Sequence, residues 1–168
     1  MTDLSRFVID EHKVLLPHID KLRIVADAIG TYSQHVCLRA TDKIYEFLTG
    51  RLIPHMQVEE ETLYPALAQL MGTPIAVASL SRDHTEINRL IGKMRELRAQ
   101  IGRFGFDEDR ANDKRRVLYS LHALLKLHLA KEEEIYLPIV DGGLGEAEEH
   151  RLFHDIKAIT YGRTGLSS

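Results

Sequence analysis

Two short phrases in this chain follow one pattern. The first runs from His55 through Glu59, Glu60 and Glu61 to Pro65, and the second from His128 through Glu132, Glu133 and Glu134 to Pro138. The copies are offset by 73 residues. Each pairs a histidine with a glutamate four residues on, a spacing that puts both side chains on one face of a helix. The residues preceding each pair at intervals of three and four are apolar (Leu48 and Leu52, Leu121 and Leu125), so both pairs should point into a core. A lone carboxylate there would be costly to bury without compensation. A metal cation compensates two at once.

The repeat extends upstream. Glu11-His12 precedes the first phrase and Asp83-His84 the second, with 43 residues from His12 to His55 and 44 from His84 to His128. Six donors should therefore converge: His12, His55, Glu59, His84, His128 and Glu132. Four imidazoles and two carboxylates exceed the needs of one tetrahedral ion. They suit two five- or six-coordinate ions a few ångströms apart, bridged by Glu59 and Glu132. Imidazole with carboxylate favours iron, with manganese or zinc as alternatives.

A single histidine on an apolar face reads more simply as a hydrogen-bonded core residue. A duplicated set is not what such a residue predicts. Glu60, Glu61, Glu133 and Glu134 are rotated off the His-Glu face, where Glu60 and Glu133 could orient an imidazole or attract cations. His18 and His122 each lie six residues from a proposed ligand, roughly 120° around the helix. His150 and His154 are four apart and could clip a metal, but no repeat supports them. Spacing singles out none of the six tyrosines as a phenolate donor.

The elements that must position these residues are helices. Apolar residues recur at helical spacing almost throughout and no alternating strand pattern stands out. The predicted fold is all-α, an antiparallel up-down-up-down four-helix bundle with a short extra C-terminal helix. The bundle should occupy residues 1–145 and the extra helix and tail 146–168. Helices are expected over about 3–29, 33–70, 74–101 and 109–138, then 146–160, with a frayed tail over Gly162–Ser168. Pro17 should kink the first helix, Gly50 and Pro54 the second, and Pro138 should help end the fourth. The repeat implies an approximate two-fold axis relating the halves.

Composition agrees with this and narrows the function. The chain has 168 residues, a net charge of −3, 44% hydrophobic and 28% charged residues, and nine histidines. One domain with a proper core is expected. Nothing suggests a nucleic-acid or membrane partner, and no apolar run approaches the length of a spanning helix. The N-terminus lacks signal-peptide character and Cys37 is the only cysteine, so a cytoplasmic location is expected. Cys37 reads as a packing residue.

The two phrases, with Leu63-Tyr64-Pro65 and Tyr136-Leu137-Pro138 closing them and Glu11-His12 and Asp83-His84 upstream, resemble the hemerythrin-like, or HHE cation-binding, domain family. The resemblance spans about residues 5–140. It implies a non-heme di-iron centre, two iron ions with an oxo, hydroxo or water bridge, in a four-helix bundle. It also implies a small diatomic or peroxide ligand: members bind dioxygen, or sense or handle oxygen, nitric oxide, peroxide or iron. Oxygen-carrying members use five histidines, two of them four residues apart on the third helix; here the partner position of His84 is Asn88, a poor iron ligand. Similar, open coordination of both irons is therefore expected, which invites peroxide or oxygen chemistry, catalase-like decomposition included, over stable oxygen carriage. A non-catalytic iron or oxygen sensor is the alternative, and a structural bundle with zinc or no metal a third. Whether the chain turns over, and any protein partner, are not legible at this level.

Overall fold

The computed structural model describes the backbone of residues 1–164 and side chains to residue 162; residues 165–168 of the expected tail lie outside the described residues. Five helical segments form an all-α bundle, with no strand among the described residues. Helix α1 is Asp3–Ala28 and opens with the Thr2 hydroxyl accepting the N–H of Ser5. Helix α2 spans residues 34–70. A 3-10 turn, Pro74–Val77, follows Thr73, whose hydroxyl accepts the N–H of Ile75, and leads into α3, Ala78–Phe104. Helix α4 spans 108–143, with the Asp107 carboxylate accepting the N–H of Arg110 at its start. Helix α5 is Glu146–Thr164.

Helix α1 packs against α2 and α4, and α3 against the same two. This cyclic order, with short connections, is that of an up-down-up-down bundle. The connection between α3 and α4 is shorter than expected, only residues 105–107, because Asp107 caps α4 and α3 runs on to Phe104. Gly105 makes that turn with φ +84°, a left-handed conformation favoured by glycine. Near the other end, a Cβ on Gly143 would lie 2.6 Å from the Leu70 side chain, so the last turns of α2 and α4 meet closely.

The long even-numbered helices are not α-helical throughout. Helix α2 contains π turns at Leu48–Leu52 and Glu59–Leu63, and α4 contains one at Glu132–Tyr136. The last two are equivalent positions of the two phrases. Each begins at the inward glutamate, whose carbonyl accepts the N–H of Tyr64 or Leu137 five residues on. Each is followed directly by a turn containing Pro65 or Pro138. A proline in a continuous α-helix loses a hydrogen bond and clashes with the preceding turn; here each proline follows a π turn, where the hydrogen-bond ladder is already shifted by one residue. Pro138 does not end α4, which continues to Gly143. The extra residue also shifts the register. The three- and four-residue spacing that carries His128 and Glu132 inward would take Ile135 with them, yet it is 52% exposed and Tyr136 is buried; in the first copy Leu63 is buried and Thr62 only partly so.

The buried apolar residues form two clusters. One includes Leu15, Leu52, Ile87 and Leu125; the other includes Val8, Leu63, Leu80 and Tyr136. Along α1 the order is Val8, His12, Leu15, and along α3 it is Leu80, His84, Ile87. The six donors thus form a polar layer between two hydrophobic blocks. Helix α5 is longer than expected at 19 residues, and packs on α1 and on the middle of α2. Its Glu149 carboxylate accepts the N–H of Leu4 at 2.8 Å, joining it to the start of α1. No helix among the described residues is long and apolar enough to cross a membrane.

Candidate metal centre

All six expected donors meet in that layer. His12, Glu59, His84, His128 and Glu132 are buried, and His55 is nearly so. Their donor atoms fall into two groups whose atoms lie within 4.8 Å of one another: His12, His55 and Glu59, and Glu59, His84, His128 and Glu132. Glu59 belongs to both.

The carboxylates divide their oxygens between the groups. Glu59 Oε1 lies 2.9 Å from His55 Nε2 and 3.8 Å from His12 Nε2, while its Oε2 lies 3.4 Å from His84 Nε2. Glu132 Oε2 lies 3.4 Å from His12 Nε2 and its Oε1 3.5 Å from His128 Nε2. His84 Nε2 and His128 Nε2 are 2.9 Å apart. Each inward glutamate thus reaches an imidazole of the other half, Glu59 to His84 and Glu132 to His12.

Every imidazole in the layer turns Nε2 inward, and three have Nδ1 held from outside. His12 Nδ1 meets Glu133 Oε1 at 2.8 Å, His84 Nδ1 meets Glu60 Oε1 at 3.0 Å, and His128 Nδ1 meets Asp83 Oδ2 at 3.3 Å. Asp83 is also paired with Lys131. A carboxylate on Nδ1 fixes the tautomer that leaves Nε2 free and makes it a better ligand. The role read for Glu60 and Glu133 from sequence is thus the geometry found, and each acts on a histidine of the opposite half. Glu11, the counterpart of Asp83, lines a small cavity beside His55.

Inside the layer the polar atoms are poorly satisfied. His12 Nε2, His55 Nε2, both oxygens of Glu59 and Glu132 Oε2 are buried without a hydrogen bond of good geometry. Native interiors leave few such atoms, and five within one layer call for a ligand. Without a cation the charges must satisfy each other. Burial alone would lower the pKa of His12, but the hydrogen bonds and charges of Glu132 and Glu59 outweigh it and push it up to about 10. Burial would raise Glu59, yet His55, His12 and His84 hold it well below the ordinary carboxylate range.

Tyr64 is the residue that spacing did not single out. Its hydroxyl donates to Glu132 Oε1 at 2.6 Å and lies 3.1 Å from His84 Nε2. Burial, then the charges of Glu59 and Glu132, keep this phenol far above its usual range. Its counterpart in the second copy is Leu137; Tyr136, one position earlier, instead donates to the Ala76 carbonyl at 3.0 Å. The order Leu-Tyr-Pro against Tyr-Leu-Pro was a visible signal, but without the π turns it did not say which tyrosine faces inward. The two sides of the layer therefore differ in their side chains, a phenol standing beside His84 and Glu132.

The remaining candidates lie outside the layer. Asn88 is exposed. His18 stacks on Phe47, with ring centroids 4.7 Å apart, and His122 lies 3.4 Å from Asp20. Cys37 is buried and donates its thiol to the Ala28 carbonyl at 3.5 Å, the packing role expected.

A model of the hemerythrin HHE cation-binding domain matches residues 3–140 and, a second time, residues 76–162. The chain belongs to the hemerythrin HHE cation-binding family. Comparisons with curated proteins and with solved structures return no match. The second HHE match includes α5, where Glu149-His150 repeats the acidic-histidine order of Glu11-His12 and Asp83-His84. That pair does not join the donor layer: His150 is exposed, beside His154, and Glu149 is engaged with Leu4.

Proposed function

We propose that this HHE protein is a non-heme di-iron protein that binds or reacts with dioxygen, peroxide or nitric oxide. His12 and His55 would hold one ion, His84 and His128 the other, with Glu59 and Glu132 shared between them. One observation carries the reading: each buried carboxylate presents one oxygen to each pair of inward imidazole nitrogens. An iron pair, when bound, would supply redox chemistry toward such small ligands. The Tyr64 hydroxyl, beside Glu132 and His84, makes the second position the richer in donors.

The chain's own contribution is orientation and exclusion. Glu133, Glu60 and Asp83 fix three of the rings. The two cavities beside His55 have free volumes of about 10 and 20 Å³, enough for about one water each. Thr160 of α5 lines both, and Ile156 lines the second. Such room suits a diatomic molecule or peroxide better than an organic substrate. If peroxide is decomposed, the rate should track iron content.

The test is elemental analysis with an optical spectrum on protein purified without added metal. About two irons per chain and near-ultraviolet absorption support the proposal; a colourless, zinc-filled protein overturns it. A non-catalytic iron or oxygen sensor is favoured by the donor layer's place between the two core blocks, which ties metal occupancy to stability. Loss of helicity on chelation, with no peroxide turnover by the iron form, would decide for it.

A further inference from the structure

A cleft of about 680 Å³ opens between α1 and α2. Its floor includes Leu15, Ile44 and Phe47, and its rim carries Lys21, Lys43 and Arg51. The size lies within the usual range of small-molecule sites, roughly 300–1,000 Å³, which are apolar with a few placed polar groups. The His18 ring, stacked on Phe47 at an interplanar angle of 14°, extends the apolar wall.

The rim's charge is unusual for this protein. The net charge of the chain is −3, yet three cations meet here and Glu46 is the one acid in the lining. Among the described residues, Lys21, Lys43 and Arg51 make no ion pair within 4 Å. Nearby cations do: Arg23 with Asp27, Arg98 with Asp42 and Lys126 with Asp20. The unspent positive charge is felt locally: partial burial, then Lys21 and Arg51, lower the pKa of His18. A hydrocarbon body would cover the floor, and an anionic head would meet the cations at the rim. A neutral or cationic ligand would leave those cations unanswered.

We infer that this cleft is a binding site for an amphipathic organic anion, a carboxylate on a medium-length hydrocarbon body. It does not depend on the metal reading, although Leu15 and Arg51 also line the small cavity that reaches His55.

Calorimetric titration of the intact, metal-loaded chain with decanoate tests it, with acetate and decyltrimethylammonium as probes carrying only the charge or the opposite charge. Decanoate should saturate at one per chain and bind at least tenfold more tightly than either. The double variant Lys21→Glu, Lys43→Glu, at two exposed positions, should weaken decanoate at least tenfold while circular dichroism is unchanged. Arg51→Gln should weaken it in the same direction. Equal affinity for decanoate and decyltrimethylammonium, non-saturating uptake, or decanoate affinity indifferent to the double variant would each overturn the inference.

Discussion

Tyr64 and Glu132 join the two halves of the protein through a 2.6 Å hydrogen bond, buried and donated by the phenol. Removing that hydroxyl leaves a buried carboxylate short of a donor, which typically costs about 1–3 kcal/mol. Tyr64→Phe should therefore lower the Tm of the metal-free protein. In the iron-loaded protein the fall should be smaller, because the cation answers Glu132. If the phenol also donates to iron, visible absorption present in the parent disappears in the variant. Thermal denaturation with and without metal, beside an absorption spectrum, reads both effects; an equal Tm loss in both forms would contradict the assignment.

The histidines of the layer and those of α5 should separate cleanly. His128→Ala removes an inward Nε2 donor and should cut bound iron to about half or less, since even partners of metal ligands are worth 10–100-fold in affinity. His150→Ala, at an exposed position, should leave iron content unchanged. Metal analysis of the two purified variants decides the matter. Equal loss would mean that the donor layer is not where iron is held.

Carboxylates that touch only the outer ring nitrogens should still govern affinity. Glu133 sits 2.8 Å from His12 Nδ1 and Glu60 3.0 Å from His84 Nδ1. Glu133→Gln or Glu60→Gln should weaken iron binding about 10–100-fold with the fold intact. Competition against a chelator of known affinity measures this. Unchanged affinity in both would reduce these contacts to surface ion pairs.

Lys114 offers a pH prediction away from the metal. It is 1% exposed, its ammonium has no hydrogen-bond partner, and the Phe106 ring lies 5.7 Å away. Burial, with a smaller opposing contribution from Asp42, lowers its pKa to about 8; Asp42 is itself paired with Arg98 at 2.7 Å. The folded value lies below the unfolded one, near 10.4. Between the two, the unfolded chain holds more protons, so stability rises with pH across that window. Below about pH 8 the full cost of the buried charge is present. Lys114→Met should thus raise the Tm at pH 7, and the gain should vanish near pH 10.5. A gain that does not shrink as pH rises would point to packing instead of charge.

Much of the architecture could be read from the chain because the decisive residues were written twice. The repeat located His12, His55, Glu59, His84, His128 and Glu132, and apolar spacing placed them inside. What escaped was local geometry that costs no sequence signal of its own. Pro138 reads as a stop because helices normally end near proline; α4 instead continues past it behind a π turn, with Tyr136 inward and Ile135 out. The same extra residue in α2 buries Leu63, and the Tyr64 next to it reaches His84 and Glu132, which no 3.6-residue wheel would select. Helix α5 was underestimated because its apolar positions are sparse, and its role against His55 depends on contacts distant in sequence.

The crossed pattern of support has a consequence for how the protein could be divided. Glu133 steadies a ring on α1, Glu60 steadies a ring on α3, and each inward glutamate reaches across to the other half's imidazoles. A chain severed between α2 and α3 should yield fragments that are mute toward iron when apart and regain it only on reassembly. Ancestry by duplication would then have required a partner from the outset: a single copy could have worked only as a homodimer, clasping its twin.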